Sequence, residues 1–286
     1  MSMIGSFNQT MNYIETVLDD EIDERTISRL SGYSYAMFSR IFSILTDITL
    51  AEYIRLRKLT EAAIELRESE NKVIDIAIKY GYDTPDSFAA AFKNFHGYTP
   101  SQVRKNKPYK VFSRIQLALN IKGGRTMEVS IQRKPAFTVA GIKMEAIDTI
   151  NCSKVWDKLY EHTAVEKLVQ MGSGQSFGVC YDVKDVNQIN YMACYDASNY
   201  EMAKEAGLEV VQIPENEYAV VKLIGAIPES IHRGWKYVME VFFPEHGYQH
   251  SGAPDFEVYG AGDMYAPEYQ LELWIPVVKS TNNQEA

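Results

Sequence analysis

Apolar residues recur at helical spacing through the first 110 positions and switch to period-two alternation after residue 127. Residues 8–18 (NQTMNYIETVL) predict an amphipathic helix, and Asp23 is placed to cap a short helix over 25–31. Gly32 supplies a permissive turn, Ser34 caps a helix through Leu45, and a long helix covers 50–68. The order then repeats. Val73–Tyr80 predicts a helix, Gly81 a turn, Thr84 an N-cap with Pro85 at the first helical position, and a last short helix begins near Ser101. Gly32-Tyr33, Phe38, Phe42 and Thr49 correspond to Gly81-Tyr82, Phe88, Phe92 and Thr99-Pro100, roughly fifty residues on. Each phenylalanine pair is spaced i, i+4, so both rings fall on one helix face and are expected in the core. Helix, glycine turn, helix, repeated once, predicts two helix-turn-helix units in tandem, a layout suited to two successive turns of DNA. A plain helical bundle is the alternative, and the joint repetition of turn, ring pair and threonine weighs against it.

Residues 107–126 run from a proline-broken basic stretch to Gly123-Gly124, which predicts domains at 1–112 and 127–286 with a linker at 113–126. The second part reads as two copies of strand–strand–helix–strand–strand. The first has strands at 128–133, 137–145, 177–183 and 191–197 around a helix at 154–162. The second has strands at 208–213, 218–225, 256–262 and 269–277 around a helix at 231–243. Such modules predict an α+β domain with one antiparallel sheet and helices on one face. The opposite face, where the modules meet, is expected to be concave and open to a small ligand. Alternation sets Glu272 and Trp274 against Leu271, Leu273 and Ile275, and Glu257 and Tyr259 against Phe256 and Val258. Two strands therefore each pair a carboxylate with an aromatic ring, the combination that attracts a lipophilic cation. The competing account is a solvated sheet face carrying ordinary glutamates. Trp156 and Trp235, early in the two helices, divide in the same way between pocket wall and core.

Composition narrows the classes. The net charge of −9 argues against a nucleic-acid binder, but residues 1–112 hold 14 Lys+Arg against 15 Asp+Glu, and the excess acid lies beyond them. No apolar run is long enough for a membrane span, and the opening MSMIGSFNQT lacks the regions of a signal peptide. Cys152, Cys180 and Cys194 show no paired ligand spacing and read as reduced thiols of a cytosolic protein.

The segment 26–106 is similar to the DNA-binding domain of the AraC/XylS transcription regulators, and "DIAIKYGYDTPDSFAAAFKNFHGYTPSQVRK" (75–105) carries most of that likeness. The resemblance implies double-stranded DNA as partner and Arg40, with Ser39, as contacts in the first recognition helix. In the second, Asp86 and Ser87 take base-facing places beside Pro85, Ala89 and Ala90. No arginine stands there to grip guanine, so Lys93 and the helix N-terminus are expected near phosphates. Residues 127–279, through "FEVYG" and "YQLELWIPV", resemble the GyrI-like small-molecule-binding domain. That likeness implies a hydrophobic, often cationic effector, with Glu272 lining the site and Glu257, Trp274, Tyr259, Trp235 and Trp156 as further candidates. The domain order is similar to the Rob-type branch of the AraC family.

Together these imply a ligand-responsive transcription regulator, with RNA polymerase a further candidate partner, no cofactor and no membrane. Three rivals stay open. A GyrI-like hydrolase would use Glu272 as general base. A metal sensor would use His246 and His250 of "EHGYQH", a spacing that suits metal only on a helix. DNA binding without ligand control would leave the second domain to association.

Overall fold

The computed structural model describes residues 3–118, 127–147, 151–185 and 188–279. Seven helices form the first part: α1 (Met3–Thr16), α2 (Glu24–Ser31), α3 (Tyr35–Thr46), α4 (Leu50–Glu68), α5 (Val73–Lys79), α6 (Pro85–His96) and α7 (Pro100–Arg104). The caps read from sequence are in place. Asp23 accepts from the Arg25 and Thr26 amides, Ser34 from Met37 and Thr84 from Ser87, while Gly32 takes φ 78°. α1 starts earlier than its polar pattern predicts because Phe7 is core: its ring lies 5.4 Å from Phe38 and 6.1 Å from Phe42.

The long α4 runs through both halves of this bundle. Its Leu50, Tyr53 and Ile54 join Phe38 and Phe42, and its Leu59, Ala62, Ala63 and Leu66 join Phe88 and Phe92. All four repeat phenylalanines are buried, each contributing roughly 1.5–3 kcal/mol of apolar transfer. Arg57, midway along α4 and buried, reaches Glu15 at 2.8 Å and Glu61 at 2.6 Å and donates to the Phe112 carbonyl. The chain beyond α7 lies along the bundle. Phe112, Ile115 and Leu117 pack on the first cluster, and Asn8 exchanges two hydrogen bonds with the Leu117 backbone. Gly123-Gly124 lies outside the described residues.

The second part is one antiparallel sheet with helices on one face. Its first module holds β1 (Val129–Lys134), β2 (Phe137–Ile147), α8 (Cys152–His162), α9 (Val165–Gln170), β3 (Ser176–Asp185), β4 (Gln188–Asp196) and α10 (Tyr200–Glu205). The second holds β5 (Glu209–Ile213), β6 (Asn216–Ile224), α11 (Glu229–Tyr237), a π-turn over Val238–Phe242, α12 (Phe243–His246), β7 (Tyr248–His250), β8 (Asp255–Tyr259) and β9 (Gln270–Lys279). The strand order is β1-β6-β9-β8-β3-β4-β2-β5, with β7 added on β9. Each module's first strand thus lies on the edge of the other module, and β3 meets β8 at the centre.

The face without helices is not an open concavity. Phe137 on β2 and Trp274 on β9 are four strands apart, about 19 Å in a flat sheet, yet their rings are 6.3 Å apart. The sheet therefore curls on itself. Phe137, Phe177, Tyr218, Phe256 and Trp274 close its inside with ring-to-ring contacts of 5.5–6.3 Å. Twist and large inward side chains have filled the curled part of this face, while it stays open around Glu272.

Candidate functional site

The acidic and aromatic residues converge on the helical face. Strand alternation points Asp255, Glu257 and Tyr259 of β8 toward the helices, while Phe256 and Val258 enter the curled interior. Cys180 of β3 lies opposite Asp255, and Gly178 opposite Glu257. Gly178 makes the site possible by close approach. A β-carbon there would stand 2.1 Å from Tyr191 Oη and 2.6 Å from Glu257 Oε2. The space instead admits the Tyr191 hydroxyl, which donates to Glu257 at 2.9 Å and accepts from the Trp156 indole N–H at 3.0 Å. Tyr259 also donates to Glu257 at 2.6 Å, and its ring meets Trp156 edge-on at 5.2 Å.

Burial pushes the Glu257 carboxyl above its ordinary value, against the two tyrosine donors and nearby Arg40, which favour the ion. Asp255, two residues earlier, moves the other way. Burial would raise it, but the charges of Arg40 and His250 outweigh that and hold it below the usual range. Burial likewise raises the Cys152 thiol to about 12 and the Cys180 thiol well above its ordinary value, so both are protonated at neutral pH.

The six candidate ligand residues do not form one pocket. Glu257, Tyr259 and Trp156 come together around the Tyr191 hydroxyl on the helical face. Glu272 and Trp274 lie across the sheet, where Glu272 accepts from the Trp274 indole at 2.7 Å and borders an open surface groove of about 810 Å³. The registry explains the split: Val258 pairs with Glu272, so the two glutamates project from opposite faces. Trp235, on α11, lies farther along the helical side under the Arg40 guanidinium, 4.7 Å from its ring. The candidate histidines also part company. His246 bonds the Phe242 carbonyl at the end of α12, while His250 is buried against Asp255 at 2.6 Å. Sequence reasoning missed Asp255, although period two already places it on the same strand face as Glu257, and missed Tyr191 and Gly178, whose roles depend on cross-strand registry.

Of the candidate DNA contacts, Asp86, Ser87 and Lys93 are exposed on α6. The Ser87 hydroxyl donates to the Thr84 carbonyl as part of the cap. The first recognition helix is different. Ser39 is fully buried, and the Arg40 side chain is only 13% exposed, paired with Asp255 of the second domain.

The GyrI-like small molecule binding domain matches residues 127–278, and a helix-turn-helix domain matches 27–106. The chain belongs to the GyrI-like family. An AraC-type DNA-binding domain precedes this GyrI-like domain, as in a ligand-responsive transcription regulator. The Transposon Tn10 TetD protein of Escherichia coli is 39% identical over 99 residues, covering 35% of this chain and 72% of TetD. The probable transcription factor PqrA of Proteus vulgaris is 38% identical over 101 residues, 35% of this chain and 83% of PqrA. The structure of SAV2435 bound to tetraphenylphosphonium is similar over 53% of this chain and 94% of that one, at 24% identity and a TM-score of 0.46. Among the described residues, no helix is long and apolar enough to cross a membrane.

Proposed function

We propose that this regulator senses a lipophilic organic cation in the cleft between its two modules, with Glu257 as counter-ion and Tyr259 and Trp156 as aromatic walls. One observation carries this reading: a half-buried carboxylate held by two tyrosine hydroxyls against an indole. Such an acid offers a diffuse cation both charge and π faces without demanding hydrogen bonds from it. Glu272 borders a wide, open groove that also holds Lys222 and Arg233, and its bonded ring is a single indole, so the counter-ion role is proposed for Glu257 instead.

Binding without turnover is part of the proposal. The thiols near the cleft are held protonated, and Glu257 Oε2 accepts from both tyrosines, which lowers its basicity. On DNA, Asp86 and Ser87 are proposed to face base edges and Lys93 a phosphate, with Arg40 and Ser39 serving the first unit and RNA polymerase as partner at the promoter. Domain limits of 1–112 and 127–286 are proposed with a linker at 113–126, the beginning of which is fastened to the helical bundle.

Calorimetric titration with tetraphenylphosphonium and with neutral tetraphenylmethane tests the ligand reading. The cation should bind saturably, the neutral analogue at least tenfold more weakly. Glu257→Gln should weaken cation binding and Glu272→Gln leave it unchanged. Equal affinity of wild type and Glu257→Gln would overturn it.

A further inference from the structure

α3 lies across the helical face of the second domain. Ile41 is buried within the second domain's core cluster beside Leu223, Trp235 and Leu271, with Met37, Ile44 and Leu45 packed around it. Arg40 enters the acidic row. Its guanidinium pairs with Asp255, which is 2% exposed and is also held by His250, and stacks over Trp235. A second bridge joins Lys236 of α11 to Asp47, just beyond α3, at 2.6 Å. Although burial disfavours the guanidinium, Asp255 more than compensates, so the arginine stays charged.

The acidic strand face next to Glu257 thus already holds a cation, at Asp255. Asp255 and Glu257 occupy alternate positions of one strand and share one face, with Trp235 packed on the Arg40 and His250 that hold Asp255, and Trp156 on the Tyr191 and Tyr259 that hold Glu257. The open space beside Arg40 is about 190 Å³, lined by Tyr33 and Met37 of the first domain and by Cys180, His250 and Asp255 of the second. Pockets for drug-sized ligands measure roughly 300–1,000 Å³. A bulky cation cannot share this space with α3.

We propose that Arg40 is a built-in occupant of the cation site, so that an organic cation in the Asp255–Glu257 row and the docked α3 exclude each other. Ligand binding then releases the first recognition helix, and with it Arg40, for DNA. Docking lowers the apparent cation affinity by the fraction of molecules left open. The inference rests on the cation reading above, and its test separates the two.

The test is tetraphenylphosphonium titration of the full chain and three variants. Arg40→Met should tighten binding at least tenfold. Because it also removes a repelling charge, Ile41→Ala is the deciding variant: it changes no charge, loosens only the docking contact, and should tighten binding about tenfold as well. Lys236→Met cuts the second bridge and should tighten it about twofold. Wild-type affinity in Ile41→Ala overturns the docking proposal, whatever Arg40→Met does. No binding to wild type, Arg40→Met or Ile41→Ala would overturn the cation reading and the docking proposal together. If Glu257→Gln weakens binding while Ile41→Ala leaves it unchanged, the cation reading stands and the docking proposal falls.

Discussion

Gly178→Ala offers a stringent check on the cleft geometry. The added methyl would lie 2.1 Å from Tyr191 Oη, whereas carbon–oxygen contacts are ordinarily no closer than about 3.3 Å, so the hydroxyl must retreat by roughly 1.2 Å. Tyr191 is buried on a central strand and cannot swing into solvent. Its bonds of 2.9 Å to Glu257 and 3.0 Å from Trp156 cannot both survive such a displacement. A bond to a carboxylate contributes about 1.5–3 kcal/mol and a neutral one about 0.5–1.5, so the expected loss of stability is ~2–4 kcal/mol. The loss should appear as a lower urea midpoint with an unchanged slope.

Tyr191→Phe supplies the control, because it removes both bonds and also the atom that the methyl meets. On that background Gly178→Ala should cost markedly less, with a coupling of at least about 1 kcal/mol in the double-mutant cycle. Two close atoms remain: Glu257 Oε2 at 2.6 Å, the end of a flexible side chain that can move aside, and the ring Cζ of residue 191 at 2.8 Å, which keeps part of the cost but needs a smaller retreat than the hydroxyl. Strictly additive effects, or a Gly178→Ala midpoint equal to wild type, would refute the placement of Tyr191 over Gly178.

Arg57→Met should destabilise the helical domain by about 3 kcal/mol, the low end for breaking a buried pair, because Arg114 and the Tyr53 hydroxyl still serve Glu15; calorimetric unfolding that shows less than about 1 kcal/mol would contradict this. Cation affinity should fall on acidification through the raised pKa of Glu257, since only the ionised form is a counter-ion, and Glu257→Gln should flatten that part of the profile. The stability sign is opposite for the two acids. The contribution of Glu257 is fully present below its ordinary 4.5 and lost as pH rises through its elevated value. That of Asp255 is present above its ordinary 3.8 and lost as pH falls through its depressed one. Urea titrations of Glu257→Gln and Asp255→Asn across acid pH should deviate from wild type in these opposite senses.

Local chemistry was readable from sequence where one residue decides it. Asp23, Ser34 and Thr84 cap the helices assigned to them, and the i, i+4 phenylalanines are core, because caps and helix faces depend on neighbours in the chain. The duplicated module was readable for the same reason. The faces were harder. Period two correctly separates Glu257 from Phe256 and Glu272 from Leu273, but not which half of β8 shares a side with which half of β9. That depends on the Val258–Glu272 pairing, a fact of registry. The filling of the concave side also escaped the sequence pattern, since it follows from a curl that brings β2 against β9. Least readable of all was Arg40. Its sequence neighbours fit a DNA contact, and nothing local marks a partner 215 residues away.

The position of Arg40 connects the two domains through one piece of chemistry. A guanidinium suited to phosphates and guanine edges is equally suited to a carboxylate beside an indole. The residue proposed to grip DNA is therefore, by the same properties, a good tenant of a site for organic cations, and α3 becomes an element with two alternative partners. The second unit is not bound by this choice, since Asp86, Ser87 and Lys93 are exposed while α3 is docked. On the proposed contacts, a chain with α3 docked rests on DNA through α6 alone and gains the first unit's contacts only when an organic cation displaces Arg40. Linkage then works in both directions: DNA that holds Arg40 empties the cleft and raises its cation affinity by the same factor by which the cation raises affinity for DNA. The size of that factor is limited by how strongly α3 docks, so packing at Ile41, far from any base or ligand, sets the range of the response.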